Sequence, residues 1–232
     1  MDVTSIVVGC PRSGALEMMG FLWRLDTMGI LSQCTNRTGT CVGAYILLAL
    51  EAGYSWLELT QVFFNHPDLQ DYTPFRLHQR NCPHHLAIHM AQKPIKYMAA
   101  TDLTLVVYNY TRREVEYVTG KTHPDLPLSH AVEMTLTLTV PFAQYRGCEY
   151  GSAQLIQPLA YRTGALHVKV EASVNPTMAA YEAMIRYRQN VKGVTIPAIT
   201  ASFQEKIEAG KELVAPTIAT TPPAPYTPGH QE

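Results

Sequence analysis

Gly39-Thr40-Cys41-Val42-Gly43 is the stretch of sequence that decides the fold of this chain. It matches the G-x-(Ser/Cys)-x-G pattern of a nucleophile elbow, a strained turn between a strand and the helix that follows it. The flanking glycines let strand and helix approach each other, and the bend pushes the central side chain into solvent. Because a helix N-terminus favours negative charge, the pattern predicts thiolate character for Cys41.

The segments on either side of the elbow alternate between strand and helix patterns. Val3 to Val8 is a β-branched apolar run that predicts a buried strand, and the apolar spacing from Gly14 to Gly29 predicts a helix. We expect Ile30 to Cys34 to form a second strand and Val42 to Ala52 a second helix. This order, with tight turns, indicates an α/β fold with a mostly parallel central sheet.

The rest of the chain divides into shorter elements and a tail. Capping boxes at Ser55 and Ser202, each followed three positions later by a glutamate, predict helices that begin there. The other predicted elements are a helix within 85–92, strands at 97–101, 105–110 and 114–119, and a helix over 175–192. Because the end of the chain is rich in Pro and Thr, we expect one domain over 1–214 and a disordered tail over 215–232.

Composition limits the partners that the chain can attract. Of its 232 residues, 47% are hydrophobic and 16% charged, enough to bury one large core. A formal net charge of −1 gives no field that draws it to nucleic acid or to an anionic membrane. Five dispersed cysteines indicate a reducing compartment rather than a disulfide framework. With no basic leader and no apolar run near roughly 20 residues, we expect a soluble cytoplasmic protein without a transmembrane segment.

The order of these motifs resembles the patatin-like phospholipase family. In that family a first strand leads into a Gly-rich oxyanion loop and a helix, and the elbow typically has the sequence G-T-S-A-G-A. Gly9-Cys10-Pro11-Arg12-Ser13-Gly14 stands at the loop, Gly39 to Ala44 at the elbow, and Gly53-Tyr54-Ser55 after the elbow helix. Leu126 to Phe142 is similar to the helix and Pro turn before the family's catalytic aspartate. The resemblance covers residues 3–190 and implies a three-layer α/β/α sandwich.

The departures from the family pattern fall on its catalytic groups. The resemblance implies a Ser and Asp dyad, but Cys41 holds the serine position. Counting back from Pro158 places Tyr150 at the aspartate position. A tyrosine, whose ordinary pKa is about 10, is neutral at pH 7 and does not replace a carboxylate.

The oxyanion loop has changed as well. Gly9 and Gly14 remain at its ends, but Pro11 has no amide proton to offer a developing oxyanion. Cys10 brings a side chain where the family has glycine, and Arg12 lies one position before the family's basic residue. Three parts of the machinery are therefore altered together.

Two functions are compatible with this pattern. The first is a pseudoenzyme of the lipid acyl hydrolase family that keeps the scaffold, with a lipid, an acyl ester or a protein as its partner. The second is an active thiol-dependent acyl hydrolase, because a thiolate needs less help from a base than a serine hydroxyl. In the second case Glu149, next to the expected aspartate position, or a histidine supplies the base. Neither function requires a cofactor. The loss of an oxyanion donor typically costs about 10²–10³ in rate, which favours the pseudoenzyme.

Two other motifs offer rival interpretations. Gly9 to Gly14 also resembles the phosphosulfate-binding loop of sulfotransferases, although Ala15-Leu16 replace the hydroxyl residues that follow in that family. Cys82, His85 and His89 have a spacing that can hold Zn²⁺, but a fourth ligand and the glutamate of metalloproteases are missing. We therefore predict no metal site, and the phosphosulfate-binding protein stays the second alternative.

Overall fold

Eight strands form one mixed sheet in the computed structural model, which describes residues 3–9, 14–70, 82–153, 165–170, 192–197 and 199–219. In chain order they are β1 (Ser5–Val8), β2 (Asn36–Gly39), β3 (Leu103–Asn109), β4 (Glu114–Thr119), β5 (Ala143–Tyr145), β6 (Cys148–Ser152), β7 (Leu166–Val170) and β8 (Lys192–Ile196). The order across the sheet is β5-β6-β3-β2-β1-β7-β8, and β4 pairs with β3.

The sheet is parallel at its centre and antiparallel at one end. β1 pairs in parallel with β2 and β7, β2 with β3, and β7 with β8. β4 and β6 run antiparallel to β3, and β5 runs antiparallel to β6. β2 pairs with residues 103–105 of β3 and β6 with residues 107–109, so the C-terminal ends of β2 and β6 meet beside Val106.

The helices of the described residues flank this sheet. They are α1 (Ala15–Thr27), α2 (Ile30–Gln33), α3 (Cys41–Glu51), α4 (Trp56–Asn65), α5 (Cys82–Ala91), α6 (Leu128–Leu136), α7 (Phe203–Glu212) and α8 (Val214–Ala219). Both predicted capping boxes are confirmed, because the Ser55 and Ser202 side chains accept hydrogen bonds from the Glu58 and Glu205 amides. Within the described part of the chain, no helix is both long and apolar enough to span a bilayer.

The larger core lies between one face of the sheet and α1, α3 and α6. Ile6 and Val8 of β1 belong to it, while Val7 belongs to a smaller cluster with Val106 and Ala165 on the opposite face. This alternation follows from the two-residue period of a strand. The predicted α/β fold, with a mostly parallel sheet flanked by helices, is confirmed.

Two predicted strands are wrong. Ile30 to Cys34 contains the short helix α2, and the second strand is the more polar β2. β2 lies inside the sheet between β1 and β3, with which it pairs in parallel, and Arg37 of β2 forms an ion pair with Glu51 of α3. Residues 97–101 contain a 3₁₀ turn, Met98–Ala100, in which the Met98 amide donates to the Leu126 carbonyl.

The C-terminal elements pack on α1. α7 crosses α1 closely, and α8 covers residues 214–219, so the boundary that we predicted at residue 215 falls inside a helix. The predicted helix over 175–192 lies almost wholly outside the described residues, as do residues 220–232 of the predicted tail.

Candidate functional site

The turn between β2 and α3 has the backbone of a nucleophile elbow. Thr40 is extended, with φ −134° and ψ 149°, and α3 begins at the next residue. Cys41 has φ 52°, in the left-handed region that a side-chain-bearing residue adopts only when its surroundings impose it. The sharp strand-to-helix bend predicted from the sequence is therefore present.

Two glycines make this bend sterically possible. A β-carbon added to Gly39 would lie 2.7 Å from the Ala44 Cα, and one added to Gly43 would lie 2.5 Å from the Gly9 carbonyl oxygen. The elbow helix therefore contacts the backbone of its own strand and the end of β1. The structure therefore places Gly9, Gly39 and Gly43 close together around the turn that carries Cys41.

Thr40 ties the elbow to the neighbouring strands. Its hydroxyl lies within hydrogen-bonding distance of the Ala153 carbonyl and 3.3 Å from the Val106 carbonyl, and its side chain is fully buried. Ala153 directly follows β6, so this hydroxyl fixes the end of β6 beside the elbow. The elbow motif gives no indication of this role for Thr40.

The Cys41 side chain does not reach solvent. It has 0% exposure, in contrast to the exposed central side chain that the motif predicts. The expectation of a solvent-facing nucleophile is therefore wrong. The first turns of α3 are buried on all sides, with Val42, Ala44 and Tyr45 in the main core, and Cys41 is enclosed with them.

The predicted oxyanion loop is described only at its ends. Gly9 donates its amide to the Val168 carbonyl of β7 at 2.8 Å, and Gly14 adopts φ 79° immediately before α1. Cys10 and Arg12 lie outside the described residues, as does Pro11.

Tyr150 and Glu149 occupy β6 on opposite sides of the sheet. Tyr150 pairs with Asn109 of β3, three positions before Ala153, which corresponds to about 10 Å along the strand. Its side chain is buried, and burial together with the Glu116 carboxylate raises its pKa, so the phenol stays protonated at neutral pH. Glu149 is exposed and accepts a hydrogen bond from the Gln144 amide at 2.9 Å.

Tyr150 lines a polar cavity of about 380 Å³ beside the β3–β4 hairpin, which we call the hairpin cavity. Its other lining residues include Arg112, Glu116, Tyr117, His123 and Arg146. Burial lowers the pKa of His123, so its imidazole is neutral at pH 7. The cavity was not predicted because its residues come from two separate stretches of the chain, 112–123 and 146–150, that share no motif.

A second cavity, of about 610 Å³, lies between α5, α6 and β5. At its edge, Glu133 accepts hydrogen bonds from His84 Nδ1 at 2.7 Å and from His130 Nδ1 at 3.2 Å. His130 Nε2 also donates to the Gln144 carbonyl at 2.8 Å. The bond to Glu133 raises the pKa of His130, and the bond from His130 lowers the pKa of Glu133.

The residues of the alternative zinc interpretation do not converge. Cys82 is buried at the start of α5, while His89 Nδ1 is 2.7 Å from the Tyr54 hydroxyl. His85 is exposed. Across the described ranges, no group of three or more His, Cys, Asp and Glu side chains is placed to hold a metal ion.

The backbone can be compared with solved structures. VipD from Legionella pneumophila superimposes with a TM-score of 0.55 at 10% identity, over 94% of this chain and 67% of VipD. The type III effector protein ExoU superimposes with a TM-score of 0.54 at 12% identity, over 94% of this chain and 53% of ExoU. The fold is patatin-like.

VipD and ExoU resemble this chain in backbone fold and share little of its sequence. ExoU in the ExoU–SpcU complex from the type III secretion system of Pseudomonas aeruginosa gives a TM-score of 0.51 at 11% identity, and this chain spans 51% of the matched chain. This chain therefore spans about half the length of ExoU. No protein-family model and no curated protein matches it in sequence. The sulfotransferase alternative gains no support from the fold comparisons.

Proposed function

We propose that this chain is a patatin-like protein of the lipid acyl hydrolase family whose catalytic site is impaired. In this proposal the elbow is kept as a structural turn, and the protein acts by binding a lipid, an acyl ester or a protein. The observation that carries the proposal is the buried Cys41, which has 0% exposure at the position where an acyl hydrolase presents its nucleophile.

The position of Tyr150 supports the same proposal. Its side chain is enclosed in the hairpin cavity, and its raised pKa keeps the phenol neutral. A neutral phenol does not supply the negative charge of the family's aspartate. Glu149, the substitute base considered from the sequence, is exposed and bonded to Gln144.

The test is ester turnover by the wild type, by Cys41→Ala and by Cys41→Ser. Short-chain esters and phospholipid vesicles serve as substrates, and an iodoacetamide probe reports thiol access. We expect no turnover above background in any of the three proteins. We also expect labelling of the partly exposed Cys148 well before the buried Cys41.

Turnover that is present in the wild type and absent in Cys41→Ala would overturn the proposal and establish the thiol-dependent hydrolase. Turnover gained in Cys41→Ser would also count against it, because it would mean that the remaining machinery is competent. Circular dichroism of each variant confirms that the fold survives the change.

A further inference from the structure

We propose that the cavity of about 610 Å³ between α5, α6 and β5 binds a small aromatic carboxylate, with the carboxylate group against His84 and the ring against Phe142. We call this space the histidine cavity. The inference goes beyond the proposed function, because no residue of the elbow lines the cavity and the ligand is a small organic anion.

His84 lines the histidine cavity with one ring nitrogen uncommitted. Its Nδ1 donates to Glu133 at 2.7 Å, and this bond fixes the orientation of the imidazole. Its Nε2 has no hydrogen-bond partner among the described residues, and the side chain is 53% exposed. A protonated imidazole donates from both nitrogens, so His84 can offer an N–H and a positive charge to an anion.

The one acidic side chain in the described lining is already neutralised. His130 Nδ1 donates to Glu133 at 3.2 Å, and His130 Nε2 donates to the Gln144 carbonyl at 2.8 Å. The bond to Glu133 raises the pKa of His130, so these two side chains form an ion pair without net charge. Glu149 of β6 is bonded to the Gln144 side chain and does not line the cavity. Protonation of His84 therefore gives the lining a net positive charge.

One wall of the cavity is formed by main chain. Eight consecutive residues, 137–144, line it, and because neighbouring side chains point in different directions, the backbone itself borders the space. Within the described ranges, the backbone amides of Leu138, Thr139 and Val140 donate to no other backbone group. The hydroxyls of Thr137 and Thr139 add two donors to the same wall. A carboxylate accepts several hydrogen bonds at once and is suited to such a wall.

The apolar part of the lining favours a flat ring. It includes Pro83, Pro141 and Phe142. The Phe142 ring is held by Tyr110, with centroids 3.7 Å apart and an angle of 16° between the two planes. Pairs of aromatic rings are more stable than their buried area alone predicts. An aromatic ligand should therefore bind more tightly here than an aliphatic one with the same number of carbons.

Isothermal titration calorimetry of the full chain at pH 6 and pH 8 tests the proposal. The probes are phenylacetate, its neutral analogue phenylacetamide, and octanoate, which has as many carbons as phenylacetate but no ring. We expect saturable binding of phenylacetate at pH 6, about 10-fold weaker binding at pH 8, and binding of phenylacetamide about 10-fold weaker than that of phenylacetate. Octanoate should bind about 3- to 10-fold more weakly than phenylacetate. A carboxyl group titrates at about pH 4, so the ligands stay ionised throughout.

Two variants separate the charge from the ring. His84→Gln should weaken the binding of phenylacetate at pH 6 by about 10-fold and reduce the difference between the two pH values. Phe142→Leu should remove the preference for phenylacetate over octanoate. His85→Gln is the matched control, since His85 is an exposed neighbour outside the lining, and it should leave the affinity unchanged.

Four results would overturn the proposal. They are no saturable binding of phenylacetate at pH 6, phenylacetamide binding as tightly as phenylacetate, octanoate binding as tightly as phenylacetate, and the same pH dependence in His84→Gln as in the wild type. His84 has a mostly exposed side chain, so its replacement tests the charge without disturbing the core. None of these measurements depends on ester turnover, so the outcome is independent of the proposed function.

Discussion

Gly43 fills the point where the elbow helix touches the end of β1. A methyl group there would lie 2.5 Å from the Gly9 carbonyl oxygen and 2.8 Å from Val8 Cγ1, so Gly43→Ala forces α3 away from the sheet. We expect it to lower the free energy of unfolding by about 3 kcal/mol in urea titrations. Gly53→Ala is the control, because its φ of +92° is strained but no atom lies within 4 Å. Gly53→Ala should lower the free energy of unfolding by about 1 kcal/mol. Equal losses in both variants would contradict this account of Gly43.

At the scale of elements, α1 and α7 cross with their backbones in contact. A β-carbon on Gly20 would lie 1.9 Å from the Ile207 carbonyl oxygen, and one on Gly210 would lie 1.9 Å from that of Glu17. Both atoms belong to helix backbones that are not free to move aside. We expect Gly20→Ala and Gly210→Ala each to cost about 3 kcal/mol in chemical denaturation. Glu208→Ala, on an exposed position of the same helix, should change stability by no more than about 0.5 kcal/mol.

The His84–Glu133–His130 cluster joins α5, α6 and β5, and it gives the fold a pH dependence. The pKa of His130 is raised above 6.5. Its contribution to the free energy of unfolding is therefore complete below pH 6.5 and is lost as the pH rises through the raised pKa. The pKa of Glu133 is lowered below 4.5, so its contribution is complete above pH 4.5 and is lost as the pH falls through the lowered pKa. Between pH 4.5 and pH 6.5 both side chains therefore contribute fully to the free energy of unfolding.

His130→Gln measures that contribution. Because both partners are partly exposed, we expect it to lower the free energy of unfolding by about 1 kcal/mol between pH 5 and 6, and by less at pH 8. The exposed His85→Gln is the control and should show no such dependence. A loss that grows above pH 7 would contradict the assignment.

The elements that the sequence predicted correctly are those specified by local chemistry. β1 is a β-branched run, α3 is apolar on every side, and the Ser55 and Ser202 boxes are complete within four residues. β2 was missed because its sequence, Asn36-Arg37-Thr38-Gly39, is polar, and its place in the sheet is set by pairing with β1 and β3, which are distant in sequence. A local pattern does not contain that information.

In the candidate site, too, the sequence predicted only what neighbouring residues determine. The elbow backbone follows from five consecutive residues, and it was predicted. Counting along the chain from Pro158 placed Tyr150 at the family's aspartate position. Where the Tyr150 side chain lies in the fold depends instead on the pairing of Tyr150 with Asn109 of β3. The lining of the hairpin cavity comes from β4 and from the turn that carries Arg146, which the fold brings together. A motif of consecutive residues does not predict such long-range pairing.

For the whole molecule, residues 199–219 close the fold around α1. Ile207 and Val214 are fully buried, and the Ile199 amide donates to the buried Glu17 carboxylate at 3.0 Å. A chain that ends at residue 198 should therefore unfold at least about 10 °C lower in calorimetry, because several core side chains lose their contacts. A chain that ends at residue 219 is the control. If both truncated chains unfold at the wild-type temperature, α7 is not part of the cooperative core.

The bond from Thr40 to Ala153 has a consequence for which parts of the molecule open together. β6 carries Tyr150 at the hairpin cavity and leads directly into Ala153 at the elbow, so one short strand touches both places. Thr40→Val, which removes the hydroxyl, should therefore speed amide hydrogen exchange both in the first turn of α3 and in β6. Faster exchange in only one of these two elements would contradict the idea that they open as one unit.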